Sequence, residues 1–66
     1  MNHFFYSNDI VDEFIIIDGY EAHHAIKVLR KKEGEIIFVV DGLGTVYETV
    51  IEKATIDNCK LKIMNK

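Results

Sequence analysis

The stretch from His23 to Lys32 concentrates the side chains of this sequence that can bind anions. It holds two histidines and four of the eight lysine and arginine residues, and it holds no acidic residue. An arginine guanidinium offers a planar fork to a phosphate and a lysine ammonium offers a point charge, while a histidine ring can stack on a base. The residues are His23, His24, Lys27, Arg30, Lys31 and Lys32. This density of cations predicts a negatively charged partner, and RNA phosphate is the leading candidate.

A helix is predicted to position these side chains. Apolar residues recur at the spacing i, i+3, i+4 and i+7, which builds one helical face. They are Ala22, Ala25, Ile26 and Leu29. Asp18 followed by Glu21 resembles a capping box that would start the helix one or two residues after Asp18. Gly34 stands where a left-handed residue would end a helix. We therefore expect about three turns that end near Lys32.

The cationic residues are expected to share one side of this helix. At about 100° per residue, five of them fall within an arc of roughly 120° beside the apolar stripe. The five are His23, His24, Lys27, Arg30 and Lys31. The alternative is a solvated helix face on which Lys31 and Lys32 offset the helix dipole, each by about 0.3 to 1 kcal/mol. The spacing alone leaves both interpretations open.

Strand patterns surround the helix. Apolar or alternating runs occupy residues 3–6, 14–17, 36–40, 46–52 and 60–63. The fully apolar run 36–40 predicts a strand that is buried on both faces or bent across a barrel. Connections after Gly34 are too short for parallel crossovers. The predicted fold class is therefore mainly β with one α-helix, as a small antiparallel β-barrel plugged by that single helix.

Other reactive residues do not form a recognisable catalytic or metal-binding pattern. His23 and His24 are adjacent, so in a helix they would point about 100° apart and would not chelate one ion. Cys59 has no flanking nucleophile signature, and it cannot form an internal disulfide because it is the single cysteine. The run Asp41-Gly42-Leu43-Gly44 favours a hairpin turn over a phosphate-binding loop, since no helix follows it. We therefore expect no catalytic and no metal-binding residue in this chain.

Size and composition set the context for the cationic stretch. The 66 residues form one domain at most, and a domain this small is marginally stable by itself. We expect it to be part of a larger protein or a subunit of an oligomer. No apolar run approaches the roughly 20 residues of a membrane span, and no signal peptide is evident, so a cytoplasmic location is expected. The net charge is −3, so the distribution of charge matters more than its sum.

Several short motifs in order resemble the N-terminal domain of the ribosomal RNA small subunit methyltransferase E family. They are Glu21-Ala22-His23-His24, Val28-Leu29-Arg30, Gly34-Glu35, Asp41-Gly42-Leu43-Gly44 and Val46-Tyr47. The opening Met1-Asn2-His3-Phe4-Phe5 is similar to the start of that family, which commonly has a basic residue before two aromatic ones. The resemblance covers nearly the whole chain, and its specificity comes from the ordered set of motifs.

The resemblance implies an RNA-recognition domain of the PUA-like type over residues 1–66. Family members methylate a uridine of small-subunit ribosomal RNA at ring nitrogen three, with S-adenosylmethionine as the methyl donor. A knotted C-terminal domain, absent from this chain, binds that cofactor and forms the homodimer. The resemblance thus implies no catalytic or cofactor-binding residue here. His3 stands where the family often has arginine, so its RNA contact would be weaker and pH-dependent. Lys31 replaces an apolar residue of many members.

The leading hypothesis is a domain that positions small-subunit ribosomal RNA for uridine methylation by the C-terminal domain. The residues expected to contact RNA are Arg30, Lys27, His23, His24, Lys31, Lys32 and His3. The alternative is a protein-interaction or scaffold domain whose basic helix docks on an acidic protein surface. A small self-contained enzyme is a third hypothesis, and it lacks a nucleophile with a matching base.

Overall fold

The computed structural model describes residues 4–65 and shows a mainly β fold with one short helical segment. His3 lies outside the described residues. The elements are β1 (Phe4–Tyr6), β2 (Ile10–Val11), β3 (Phe14–Asp18), α1 (Gly19–His23), a π-helical turn (His24–Val28), β4 (Ile36–Val40), β5 (Val46–Ala54) and β6 (Asn58–Asn65). This composition of elements confirms the predicted fold class.

The strands form a single curled sheet that closes about half of a barrel. Their order across the sheet is β1-β4-β5-β6-β3-β2. The consecutive strands β4, β5 and β6 form its antiparallel centre, and β3 joins the free side of β6 in antiparallel fashion. The N-terminal β1 joins β4 in parallel, with Phe5 opposite Val39. Register shifts along β5, at Glu48/Thr49 and at Ile51/Lys53, mark irregularities of the kind that bend a strand and increase its twist.

The core lies between the concave face of the sheet and the helical segment. Ala22 and Ala25 are fully buried there, and their small side chains let the helix approach β3 and β6. Ile26 and Leu29 pack against the same core from its margin, so the predicted apolar face of the helix is confirmed. The buried side chains of the sheet include Phe5, Ile15, Ile17, Ile37, Val39, Ile51 and Leu61.

Strand β4 is buried on one face, so of the two predicted arrangements burial on both faces is wrong, and β4 instead belongs to a curled half-barrel sheet. Ile37 and Val39 point into the core, whereas Ile36 is 52% exposed on the convex face. Strand side chains alternate between faces, and the half-barrel has an uncovered outer surface. The apolar run therefore predicts the strand correctly, but it does not show that both faces of the strand are buried.

The helix ends about four residues earlier than predicted. Arg30 adopts a left-handed backbone conformation with φ 56°, and the Lys31 N–H donates to the Ala25 carbonyl oxygen at 2.9 Å. Such a bond from beyond a left-handed residue is a normal way to end a helix. Gly34, the predicted cap, instead donates its N–H to the Ile51 oxygen of β5. Its place is in the turn that enters β4.

The predicted capping box is also absent. Asp18 occupies the N-cap position, but its side chain makes no cap hydrogen bond. The Glu21 carboxylate instead accepts the Tyr6 N–H at 2.5 Å. The acid at the third position of the helix thereby ties the helix to β1, and β1 would otherwise leave this donor unpaired at the edge of the sheet.

Candidate nucleic-acid interface

The helical segment presents part of the cationic stretch outward because its opposite side is fixed in the core. His23 and Lys27 are exposed, while Ala22 and Ala25 of the same helical segment are buried. Lys27 lies in the last turn of the helical segment, where the partial negative charge of the helix dipole stabilises a cation. Lys31 and Lys32 lie beyond the end of the helix, so the predicted dipole role of these two lysines is wrong and falls to Lys27.

A widened final turn changes the direction in which the cationic stretch leaves the helix. The Leu29 N–H donates to the His24 oxygen at 3.0 Å, which is the i to i−5 bond of a π-helix. Arg30 then turns left-handed and is exposed. The predicted arc of five side chains on one regular helix face is therefore incorrect. His23, His24 and Lys27 belong to the helical segment, and Arg30 to Lys32 form an exit segment.

Two carboxylates that follow the exit segment accept backbone hydrogen bonds, one from Lys32 of the segment and one from Ala54 of β5. Glu35 accepts the Lys32 N–H at 2.6 Å, and Glu33 accepts the Ala54 N–H at 3.2 Å. Both acids thus form hydrogen bonds with backbone donors. We define the cationic surface as His23, Lys27, Arg30, Lys31 and Lys32, which these contacts and the helix hold in place.

The cations of this surface are not neutralised by partners within the chain. Among residues 4–65, Lys27, Arg30, Lys31 and Lys32 make no ion pair. By contrast, Lys60 pairs with Glu52 at 3.8 Å and Lys62 pairs with Glu13 at 3.6 Å. The cationic surface therefore offers charge and hydrogen-bond donors to an external anion, even though the chain as a whole is acidic.

His24 occupies a different environment from His23. Its ring is partly buried and meets the Phe5 ring edge at a centroid distance of 6.1 Å. The same His24 ring also lies near the Tyr20 ring, at a centroid distance of 5.8 Å and an interplanar angle of 31°. Tyr20 was not among the predicted site residues, although its position four residues before His24 places two rings side by side on a helix.

The loop between β4 and β5 is a hairpin turn, as predicted. Asp41 accepts the N–H groups of Leu43 and Thr45 at 2.7 and 3.2 Å, and it accepts the Tyr47 hydroxyl at 3.3 Å. The Leu43 hydrogen bond is the main cause that lowers the pKa of Asp41 below its ordinary value, and partial desolvation opposes it. The turn's own carboxylate occupies these donors, so they do not form a phosphate-binding nest.

Cys59 is a core residue of β6. Burial raises the pKa of its thiol, against the lowering effect of the Thr55 carbonyl. The thiol lies 3.8 Å from that oxygen. A neutral, enclosed thiol is a poor nucleophile, so Cys59 contributes to the packing of the core.

The described part of the chain contains neither a metal-binding cluster nor a membrane-spanning helix. No cluster of three His, Cys, Asp or Glu side chains within it has an arrangement suited to a metal ion. None of its helices has the length and apolar character to cross a lipid bilayer.

Comparison with known families supplies the decisive observation. Residues 17–64 match the family described as the RNA methyltransferase PUA domain. The chain belongs to this family. The matched range runs from the end of β3 to β6 and includes the whole cationic surface. The resemblance drawn from the sequence motifs is thereby confirmed.

Solved structures with the same fold include several methyltransferases. A predicted RNA methyltransferase from Thermotoga maritima is 33% identical with a TM-score of 0.86, over 96% of this chain and 29% of that one. A probable rRNA methyltransferase from Porphyromonas gingivalis is 32% identical with a TM-score of 0.79, over 94% and 26% of the two chains. The PUA domain described here thus spans less than a third of these proteins. None of the curated proteins matches it significantly.

A more distant structure shares the fold. The ribosomal RNA small subunit methyltransferase E from Neisseria gonorrhoeae, bound to S-adenosylmethionine, is 18% identical with a TM-score of 0.73, over 98% of this chain and 28% of that one. At this identity the likeness concerns the fold of the PUA domain.

Proposed function

We propose that this PUA domain binds small-subunit ribosomal RNA through its cationic surface and positions it for methylation. The observation that carries the proposal is the group of unpaired cations at Lys27 and Arg30 to Lys32, in a chain of an RNA methyltransferase family. Arg30 and Lys27 would grip phosphates, with His23 and His24 assisting and Lys31 and Lys32 adding positive potential. His3 is proposed as a further contact on the family resemblance.

Phosphate contacts of this kind supply affinity and orientation. They carry little sequence information, which comes from base edges and from RNA shape. The proposed role is therefore to hold the RNA in register, while chemistry and the choice of nucleotide rest with other residues of a longer polypeptide.

The activity of that longer polypeptide is part of the proposal. A second domain of the knotted type would bind S-adenosylmethionine, form a homodimer and methylate a uridine at ring nitrogen three. The support is the small share, 26 to 29%, that this chain covers of its structural relatives, together with the methyltransferase descriptions of those relatives.

Removal of two cations tests the RNA contact. We expect the double variant Lys27→Ala with Arg30→Ala to bind RNA more weakly and with a shallower dependence on salt. Each lost phosphate contact on a single strand removes about 0.7 from the slope of log K against log salt, so the double variant should lose about 1.4. Fluorescence anisotropy with labelled RNA over a salt series measures both quantities.

The matched control removes two lysines that already have partners. Lys60→Ala with Lys62→Ala deletes the same charge from the opposite face of the sheet, and it should leave the salt slope unchanged. An identical slope for wild type and the Lys27 and Arg30 variant would refute the assignment. Tight, salt-sensitive binding to an acidic polypeptide such as polyglutamate, without binding to RNA, would favour the alternative of an acidic protein partner.

A further inference from the structure

Three aromatic rings run in sequence from the core to the edge of the cationic surface. Phe5 is 2% exposed, His24 is partly buried, and Tyr20 is 75% exposed. The centroid distances of 6.1 Å from Phe5 to His24 and 5.8 Å from His24 to Tyr20 lie in the range of favourable ring pairs. Phe5 thus contacts the His24 ring on the core side of the series, and His24 in turn contacts the Tyr20 ring.

The outer ring of this series is preformed and uncovered. Tyr20 meets His24 at an interplanar angle of 31° and leaves most of its surface to solvent. A tyrosine has few rotatable bonds, so fixing it to a ligand costs little conformational entropy. Its ring can therefore take a further flat, aromatic group.

Two residues that lie further along the helical segment, His23 and Lys27, are suited to the charged backbone that accompanies such a group in RNA. His23 and Lys27 follow Tyr20 on the same helical segment and are exposed. Lys27 makes no ion pair within residues 4–65. A stacking ring next to unpaired cations is the combination by which proteins bind single-stranded nucleic acid.

Another aromatic patch lies on the convex face of the sheet and is less suited to RNA. There Phe4 and Phe38 contact each other at 6.0 Å, and Glu48 lines the adjacent depression. On that face Lys60 and Lys62 are paired with acids, and Lys53, opposite Lys60 in the register of β5 and β6, is exposed without an ion pair among residues 4–65. The larger group of unpaired cations, Lys27 and Arg30 to Lys32, therefore belongs to the cationic surface, which starts on the helical segment that carries Tyr20.

We propose that Tyr20, supported by His24, is a stacking platform for an unpaired nucleobase, so that this domain selects single-stranded over double-stranded RNA. The inference rests on the proposed RNA-binding function and adds the class of RNA that the site takes. In a duplex both faces of a base are covered by its neighbours, so the platform can act on unstacked bases alone.

Binding to paired and unpaired RNA tests the platform. Tyr20→Ala should weaken binding of a single-stranded oligonucleotide by about 5- to 150-fold, the equivalent of about 1 to 3 kcal/mol for one stacked base. Affinity for a duplex of the same sequence should not change, and the salt slope should be kept because no cation is removed. Tyr20→Phe retains the ring and should bind like wild type.

A second measurement reports stacking directly. With 2-aminopurine placed along the strand, wild type and Tyr20→Phe should quench its fluorescence at one position, and Tyr20→Ala should not. An abasic nucleotide at that position should weaken wild-type binding by the same factor, which tests the platform even if Tyr20→Ala fails to fold.

The outcomes separate this inference from the proposed function. Equal losses on single-stranded and double-stranded RNA, or no quenched position in wild type, would overturn the platform while salt-dependent binding through Lys27 and Arg30 stands. A wild-type chain without affinity for any RNA would overturn both.

Discussion

At the scale of single residues, Asp41 shows how one carboxylate organises a turn. It accepts two backbone donors and the Tyr47 hydroxyl within the loop from β4 to β5. Its pKa is lowered in the folded chain, so the folded state binds the proton less readily than the unfolded state. The stabilisation is therefore complete above the ordinary pKa of 3.8 and is lost as the pH falls below it towards the folded value.

The variant Asp41→Asn tests this role. We expect a lower melting temperature than wild type at pH 7, because a neutral amide forms weaker hydrogen bonds with the same donors. The difference should shrink as the pH falls below 3.8 and wild type becomes protonated too. Circular dichroism melts from pH 7 to pH 3 measure it. Asp9→Asn, at an exposed position in the turn before β2, is the matched control. A difference independent of pH would show that the Asp41 charge is not the stabilising feature.

At the scale of elements, the end of the helix combines backbone strain with a proposed RNA contact. Arg30 has φ 56°, which is rare for a residue with a side chain. A left-handed residue other than glycine costs about 1 to 2 kcal/mol. Strain of this kind persists at functional positions where the side chain is needed, so Arg30 is expected to favour binding at the expense of stability.

Replacing Arg30 by glycine should therefore separate the effect of Arg30 on RNA binding from its effect on stability. Glycine relieves the left-handed strain but loses more chain entropy on folding, so Arg30→Gly should raise the free energy of unfolding by about 0.5 to 1 kcal/mol. RNA affinity should fall as in Arg30→Ala, which keeps the strain and should not gain stability. Urea unfolding and anisotropy titrations of both variants provide the comparison. A less stable Arg30→Gly would contradict the proposed strain.

The sequence predicts the elements better than their junctions. The apolar run from Ile36 to Val40 predicts β4 with its observed bounds, because a strand of this composition is a local property. The end of the helix is not predictable from periodicity, since Leu29 continues the apolar spacing while the backbone has already changed to a π-helical turn. The parallel pairing of β1 with β4 is also hidden, because it joins segments that are distant in sequence.

In the candidate site, too, local features can be predicted from the sequence and non-local contacts cannot. Lys27 and Arg30 can be identified from charge and spacing, and both are exposed and unpaired in the fold. The spacing of Tyr20 and His24 indicates one ring pair on a helix, but the contact of His24 with Phe5 of β1 is not visible in the sequence. The contact of Glu33 with Ala54 is equally non-local, so the support of the exit segment could not be inferred.

At the scale of the whole molecule, Cys59 is a reporter of complete opening. It lies on β6 and pairs with Ala54 on one side and Ile17 on the other. Its side chain is fully buried, and burial raises the pKa of the thiol. A reagent can therefore reach a reactive thiolate only after the centre of the sheet separates.

Thiol labelling tests whether the fold opens as one unit. We expect an aromatic disulfide reagent to label native Cys59 far more slowly than an unfolded thiol, with a midpoint in urea that coincides with loss of the circular dichroism signal. Asp57→Cys in a Cys59→Ala background places a thiol on the exposed turn and should be labelled rapidly in the native state. Fast labelling of Cys59 without urea would indicate that β6 opens separately.

The strand order has a consequence for the nascent chain. The first strand to be synthesised, β1, pairs with β4, and β3 pairs with β6, so that Phe14 meets Lys62. The helical segment also contacts β6. β3 and the helical segment therefore lack β6 as a packing partner until that strand leaves the ribosome, whereas β4, β5 and β6 can join one another in order of synthesis. The cations between His23 and Lys32 are synthesised before β6, so they reach their final arrangement only after the strand that the helical segment contacts has been made.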